Sequence, residues 1–326
     1  TIRANQIQNT AGLKMRGANA RSVGRDWQLA VAVEVPAVVM VVAAVTAVAG
    51  FGYIVATSIA AFMALRFFHG LSTGFRPTGT SAMLTDRIPK NRRGEALGYL
   101  GVAGNAGMAS GPALGSWLTV EWGIEWMFVA SAILGMASML FTLPLKETLP
   151  GARPVRSSDL NPLNGPLIDP QAWPAAVVLL PVALAFGVYL TITPDFVDHL
   201  GYVYKGSFNT IIVASSISMR FIAGRMSDRY GRIPMMLAGT LLLALGMFLL
   251  GSAETKAAAT IGGLVYGASI GINMPTVFAW TADLAQPGRI AVALGTMLMS
   301  LEIGIGCGAI ASGMHFQGDV GRLPEL

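Results

Sequence analysis

Nine stretches of about 20 mostly apolar residues, following one another along the chain, constrain its fold more than any other feature. They run approximately over 29–51, 54–83, 96–119, 124–144, 173–193, 207–224, 233–251, 258–281 and 290–313. A segment crossing the roughly 30 Å hydrocarbon layer needs about 20 such residues, and it must satisfy its own backbone, as a helix does. Charged residues make up only 12% of the 326 residues, about half the share of a soluble domain. That leaves too few groups to solvate the outside, so lipid is the expected outer solvent. The single cysteine, Cys307, excludes an internal disulfide, and the apolar content with no G-x-y period excludes disordered and collagenous classes.

The net charge of +5 and pI of about 9.6 would invite a nucleic-acid reading in a soluble chain. Here the cations sit between apolar runs without interleaved exposed aromatics, so no nucleic-acid partner is expected. They are also lopsided. Arg3, Lys14, Arg16, Arg21 and Arg25, then Arg87, Lys90, Arg92 and Arg93, then Lys146, Arg153 and Arg156, then Arg225, Arg229 and Arg232, and finally Arg289 fall on one side, 16 of the 22 Lys and Arg. Only Lys205, Lys256 and Arg322 fall on the other. Positive charge marks the cytoplasmic side, which puts the N-terminus inside. Residues 1–28 read as a polar cytoplasmic segment without a signal peptide's apolar core. An N-terminal bundle follows over 29–144, a Pro-rich cytoplasmic linker over 145–172, a C-terminal bundle over 173–315 and an outer tail over 316–326.

The chain repeats itself at an offset of 197 residues (267 − 70). Gly70 aligns with Gly267, Ser72 with Ser269, Gly74 with Gly271, Ala82 with Ala279 and Asp86 with Asp283. The match continues through Ala96/Ala293, Leu97/Leu294, Gly98/Gly295, Gly107/Gly304 and Gly111/Gly308. Both copies enter their helices from the same side, so the repeat is parallel, with its axis along the membrane normal.

After the sixth span stands Gly224-Arg225-Met226-Ser227-Asp228-Arg229-Tyr230-Gly231-Arg232. Glycines permit a tight turn between helices, the carboxylate can bond a neighbouring helix end and the arginines can pair across the bundle. The string resembles the G-x-x-x-D-R-x-G-R signature of the major facilitator superfamily, in a cytoplasmic loop. Arg66-x-x-x-Gly70-x-x-x-Gly74, followed by Asp86 and the stretch 89–94, is similar to that family's fourth helix. Gly107-x-x-x-Gly111-Pro112-x-x-Gly115-Ser116 resembles the fifth-helix motif of its proton-coupled exporters, and Glu147-Thr148 its usual exit from helix six. Taken as packing, glycines four apart let helix backbones approach closely, the expected local role of Gly107 and Gly111. The resemblance covers about residues 17–315 as family helices three to eleven, without helices one, two and twelve. In 17–25, Gly17, Gly24 and Arg25 match the loop signature, while Arg21 stands where it has its acid. The implied fold is an all-α membrane protein: two parallel-repeat helical bundles of the major facilitator type, incomplete at about nine transmembrane helices.

Polar groups inside spans are costly and mark pathways or structural pairs. Arg66, His69, Thr73 and Arg76 share one helix face, a candidate cavity wall for a polar or anionic solute or for tuning a proton carrier. Interhelical pairing, or snorkelling for Arg76, is the competing reading. On the tenth family helix Tyr266, Ser269, Asn273, Thr276 and Trp280 repeat the stripe. Phe186, Tyr189 and Thr193 line one face of the fifth span, with Pro194 and Asp195 at its outer end. Such aromatics can equally be packing. Glu34 and Glu302 are the acids within spans, either able to load a proton if desolvation raises its pKa. The cytoplasmic gate is expected from Asp86, Arg93, Gly224, Arg225, Asp228, Arg229, Gly231, Arg232 and Asp283, and helix packing from Gly70, Gly74, Gly107, Gly111, Pro112 and Gly115.

No Cys/His metal spacing, nucleophile elbow or phosphate loop occurs, so neither enzyme chemistry, metal nor cofactor is expected. The resemblance implies a secondary transporter of the inner membrane. It would move a small organic solute, drug-like or sugar, by alternating access and proton-coupled export, with solute, protons and the lipid bilayer as partners and a monomer as the working unit. A transporter-derived fragment without flux and a solute-binding membrane receptor are the alternatives.

Overall fold

Apolar composition all round a segment makes a helix that buries part of its surface in protein and offers the rest to lipid. The computed structural model describes residues 35–70, 80, 84, 88–89, 93–146, 168–286 and 290–316, and every regular element among them is helical. In chain order these are α1 (Val35–Val55), α2 (Ile59–Gly70), α3 (Arg93–Trp122), α4 (Ile124–Thr142), α5 (Trp173–His199), α6 (Gly206–Tyr230), α7 (Arg232–Gly251), α8 (Lys256–Leu284) and α9 (Ile290–Phe316). Five described helices are long and apolar enough to cross a membrane by themselves.

The helices form two bundles. In the first, α1 lies against α4, and α4 against α3. In the second, α8 sits between α6 and α7, while α5 pairs with α9. The bundles meet where α3 crosses α6. The second bundle's core holds Leu179, Phe208, Tyr266, Val277 and Met297, all fully buried. Phe141 at 80% exposed and Phe248 at 71% belong to outer surfaces that suit lipid.

Lipid tails are as apolar as Leu, so burial alone does not press these helices together; close packing does. The glycines make that packing possible. A methyl at Gly50 would come 2.8 Å from Ala132 of α4, and one at Gly135 2.8 Å from the Ala47 backbone of α1. Gly187 of α5 faces the Ile305 carbonyl of α9, while Gly304 and Gly308 of α9 face Ala183 and Leu184 of α5. Gly267 and Gly271 bring α8 onto the Ile212 and Ser216 carbonyls of α6.

Some turns need glycine for a different reason. Gly123, with φ of 99°, joins α3 to α4, and Gly231, with φ of 93°, joins α6 to α7, where a side chain would be strained. The signature string, read as a loop, therefore differs from the structure. Residues 224–230 continue α6, and only Gly231 leaves the helix. The fifth span also runs on through Pro194 to His199, because prolines are tolerated in membrane helices when neighbours take up the freed backbone groups.

The end of the linker is built into the protein rather than solvated. Asp169 is fully buried, its carboxylate caps the turn Pro170–Ala172 by accepting from the Gln171 N–H, and its own N–H donates to Thr296 Oγ1 of α9 at 2.8 Å.

Candidate functional site

Where α3 crosses α6, the approach is made by Gly206, whose missing side chain leaves room for the Pro112 carbonyl. Gly107 and Gly111 do not make it. Among the described residues nothing lies within 4 Å of a methyl placed at either, and Gly115 meets only the Met127 side chain at 3.6 Å. The packing role expected of Gly107 and Gly111 thus passes to Gly206, because α3 turns Met108, Ala109 and Pro112 toward its neighbour.

Three polar contacts cross this seam. Asn209 Nδ2 donates to the Met108 carbonyl at 3.1 Å, Thr210 Oγ1 to the Ala109 carbonyl at 2.8 Å and the Tyr204 hydroxyl to Glu121 Oε1 at 2.7 Å. That last bond, together with the Glu121 charge, holds the Tyr204 phenol above its ordinary value. Beside the seam opens a cavity of about 460 Å³, walled by Pro112, Ser116 and Thr119 of α3, Met127 of α4, Tyr189 and Thr193 of α5, and Asn209 of α6. Its volume is in the range of small-molecule sites. Lys205 stands at one edge, 3.1 Å from Asp198.

Tyr189 links this cavity to the interior of the second bundle. Its hydroxyl donates to Asn209 Oδ1 at 3.0 Å, and its ring stacks on Tyr266 at 5.0 Å and on Phe186 at 6.1 Å. The Thr193 hydroxyl donates back to the Tyr189 carbonyl. The remainder of the α8 stripe turns elsewhere. Asn273 is fully buried against Gly239 of α7, with neither amide atom bonded among the described residues, and the Tyr266 hydroxyl is likewise buried and unbonded among them. Trp280 packs on the edge of the core. Because α8 is enclosed by α6 and α7, its polar face meets protein.

His69 pairs with α1: its Nδ1 lies 3.0 Å from the Tyr53 hydroxyl, an interhelical contact. Arg66 is exposed on α2, and Glu302 is exposed on α9, on the face turned from α5. Thr73, Arg76, Gly74, Asp86 and Glu34 lie outside the described residues, as does the 17–25 string. Arg93 opens α3, and its side chain lies outside them too.

At the other end of the second bundle Arg232 gathers the expected gate residues. Its guanidinium donates to Asp228 Oδ1 at 2.6 Å, to Ser227 Oγ at 2.8 Å and to Asp283 Oδ2 at 2.9 Å, tying the ends of α6, α7 and α8. Asp283 is the repeat partner of Asp86. Arg229 lies over the Tyr230 ring at 5.5 Å, Arg225 is exposed, and a methyl placed at Gly224 would meet nothing within 4 Å among the described residues.

Asn209, Thr210, Glu121 and Tyr204 escaped the sequence reading, since single polar residues near a span end carry no spacing signal. Arg220 escaped as well. It lies eleven residues past Asn209, close to three full turns, so it shares that face of α6, and its Nε is buried without a partner among the described residues.

A family model described as the Major Facilitator Superfamily matches residues 35–309. The multidrug resistance protein MdtG of Klebsiella pneumoniae (strain 342) is 27% identical over 253 residues, covering 72% of this chain and 60% of that protein. Human major facilitator superfamily domain-containing protein 10 is 25% identical over 265 residues, covering 74% and 58%. The chain thus spans about 60% of the length of such relatives. Among solved structures, the human organic anion transporter MFSD10 (TETRAN) superposes with a TM-score of 0.62 at 20% identity, over 90% of this chain and 74% of that one. An inward-facing, unoccupied bacterial homologue of the human lysosomal transporter Spinster gives 0.68 at 14% identity, over 89% and 70%. Likeness at these identities concerns the fold.

Proposed function

This chain belongs to the major facilitator superfamily, and on that premise we propose that it serves secondary active transport, exporting a small organic solute across the inner membrane in exchange for protons. The observation that carries the reading is the cavity of about 460 Å³ at the seam between the two bundles, with Tyr189 and Asn209 on its wall. A site shared by two bundles is what alternating access requires, because rocking one bundle against the other opens it to each side in turn. The wall is largely apolar with a few hydroxyls and one amide, which suits an aromatic, drug-like solute. The multidrug-resistance names of relatives support export of that class.

In this reading the N-terminus is cytoplasmic, and the Arg232 cluster with Asp228 and Asp283 braces the cytoplasmic end. Asp86 and Arg93 serve there for the first bundle. Arg66, with Thr73 and Arg76 beyond it, and Glu302 are the proposed polar groups of the proton path. The working unit is a monomer.

The test is flux in proteoliposomes under an imposed pH gradient, with ethidium and an anionic naphthalene sulfonate as probes. Movement of either dye coupled to proton release is the expected result. Dye binding without flux overturns transport in favour of a solute-binding membrane protein.

A further inference from the structure

Pro112 lies within α3. Proline has no backbone N–H, so the carbonyl four residues earlier loses its helical donor. That carbonyl belongs to Met108. In a membrane interior water cannot replace the missing donor, and the free group must find a partner in protein. The partner comes from the other bundle: Asn209 Nδ2, at 3.1 Å. Thr210 adds a second bond one residue along, to Ala109.

This fixes the orientation of the Asn209 amide. Its NH2 end must face the carbonyl, which leaves Oδ1 as an acceptor, and the Tyr189 hydroxyl donates to it at 3.0 Å. One side chain therefore links a cavity-wall hydroxyl on α5 to a carbonyl of α3 that Pro112 deprives of its usual donor. The second copy of the repeat lacks the arrangement, because Ala309 stands where the first copy has Pro112 (112 + 197) and keeps its N–H.

We infer that Asn209 is a positioning residue which holds the two bundles together by satisfying the Met108 carbonyl freed by Pro112, with its amide set by Tyr189. The inference builds on the proposed solute cavity, and it names the chemistry the cavity reads. A solute offering a hydrogen-bond acceptor to the Tyr189 hydroxyl takes that hydroxyl from Asn209 Oδ1, so the tie across the seam slackens when the cavity fills. A solute without an acceptor leaves it intact.

The dependence on Pro112 makes the inference testable without any solute. In the full chain with Cys307→Ser, spin labels at the exposed positions Ile124 and Phe248 report the separation of the bundles by pulsed electron resonance. Asn209→Asp keeps shape and acceptor but removes the donor, and it should move the closed-to-open ratio up to roughly tenfold, the upper end of what one hydrogen bond contributes. Pro112→Ala returns an N–H to Met108, and in that background Asn209→Asp should move the ratio less than about twofold. Equal shifts in both backgrounds, or none with Pro112 present, overturn the inference. Asn209→Ala, run in parallel, must follow the same pattern. Tyr189→Phe keeps the ring stack but loses the donor, and it should shift the ratio in the same direction; no shift overturns the Tyr189 half. In ethidium flux Asn209→Asp should lower turnover about tenfold with little change in KM, whereas a rise in KM alone would place Asn209 in solute contact instead. Because the distance measurements involve no flux, failure of transport and failure of this tie are distinguishable.

Discussion

Gly304→Ala and Gly306→Ala add the same methyl group to the same helix, two residues apart, and should have opposite consequences. At 304 the new carbon comes 2.5 Å from Ala183 Cβ and 2.8 Å from the Leu180 carbonyl oxygen of α5. Ordinary contact begins near 3.4 Å, so α9 must back away by about 0.9 Å (3.4 − 2.5). Neither obstacle can yield alone, since one is backbone and the other a stub fixed to it. Overpacking of this kind costs about 1–3 kcal/mol, and in lipid no hydrophobic gain offsets the loosened contact. At 306 nothing lies within 4 Å among the described residues, and replacing a helical glycine by alanine contributes about 1 kcal/mol of propensity. Both variants gain that propensity, so they should differ by the overpacking cost alone, about 1–3 kcal/mol, in reversible unfolding in mixed micelles, with Gly304→Ala the less stable. Equal stabilities, or Gly304→Ala the more stable, would refute the argument that backbone proximity holds α5 to α9.

Other outcomes follow from the remaining geometry. Asp228→Asn, which weakens one of the contacts of Arg232, should cripple flux with expression retained and stability changed by less than about 1 kcal/mol; undiminished flux would remove Asp228 from the gate. Arg220→Gln should weaken binding of the naphthalene sulfonate about tenfold, as loss of a charge-assisted bond implies, and leave ethidium unaffected, whereas equal loss for both dyes would rule out anion recognition. The neutral Tyr204 phenol is the donor to Glu121, and its pKa is raised, so the contact should persist through neutral pH and disappear only as pH climbs past the ordinary phenol value. Tyrosinate absorbance, taken as the difference from Tyr204→Phe, should titrate at lower pH in Glu121→Gln, and an unchanged titration would discount the bond.

The helices were legible in sequence because apolar runs of membrane length admit little else, and the repeat paired Asp283 with Asp86 before any contact was visible. Gly231 was legible as a turn. The helical course of 224–230 was not, since arginines and glycines look like a loop wherever they follow an apolar run. Spacing identified glycines that could approach a neighbour without saying which face has one: Gly107 and Gly111 meet none among the described residues, while Gly206, which carries no motif, makes the crossing. Spacing likewise could not say what the α8 stripe meets: the Tyr266 ring stacks on Tyr189 of α5, while Asn273, seven residues on, meets Gly239 of α7. Pro112 could be seen, but the effect of a freed carbonyl depends on what another helix brings to it.

The close fit of α5 to α9 also sets a schedule. Gly187 and the Ile305 carbonyl it faces are 118 residues apart (305 − 187), with α6, α7 and α8 between them. At about 5–20 residues per second, α5 waits in the bilayer for roughly 6–24 s with its Gly187 groove against lipid before its partner is made. During that interval the neighbours already synthesised, α3 among them through its hold on α6, are what keep α5 in place, and α9 covers the Gly187 groove once it emerges.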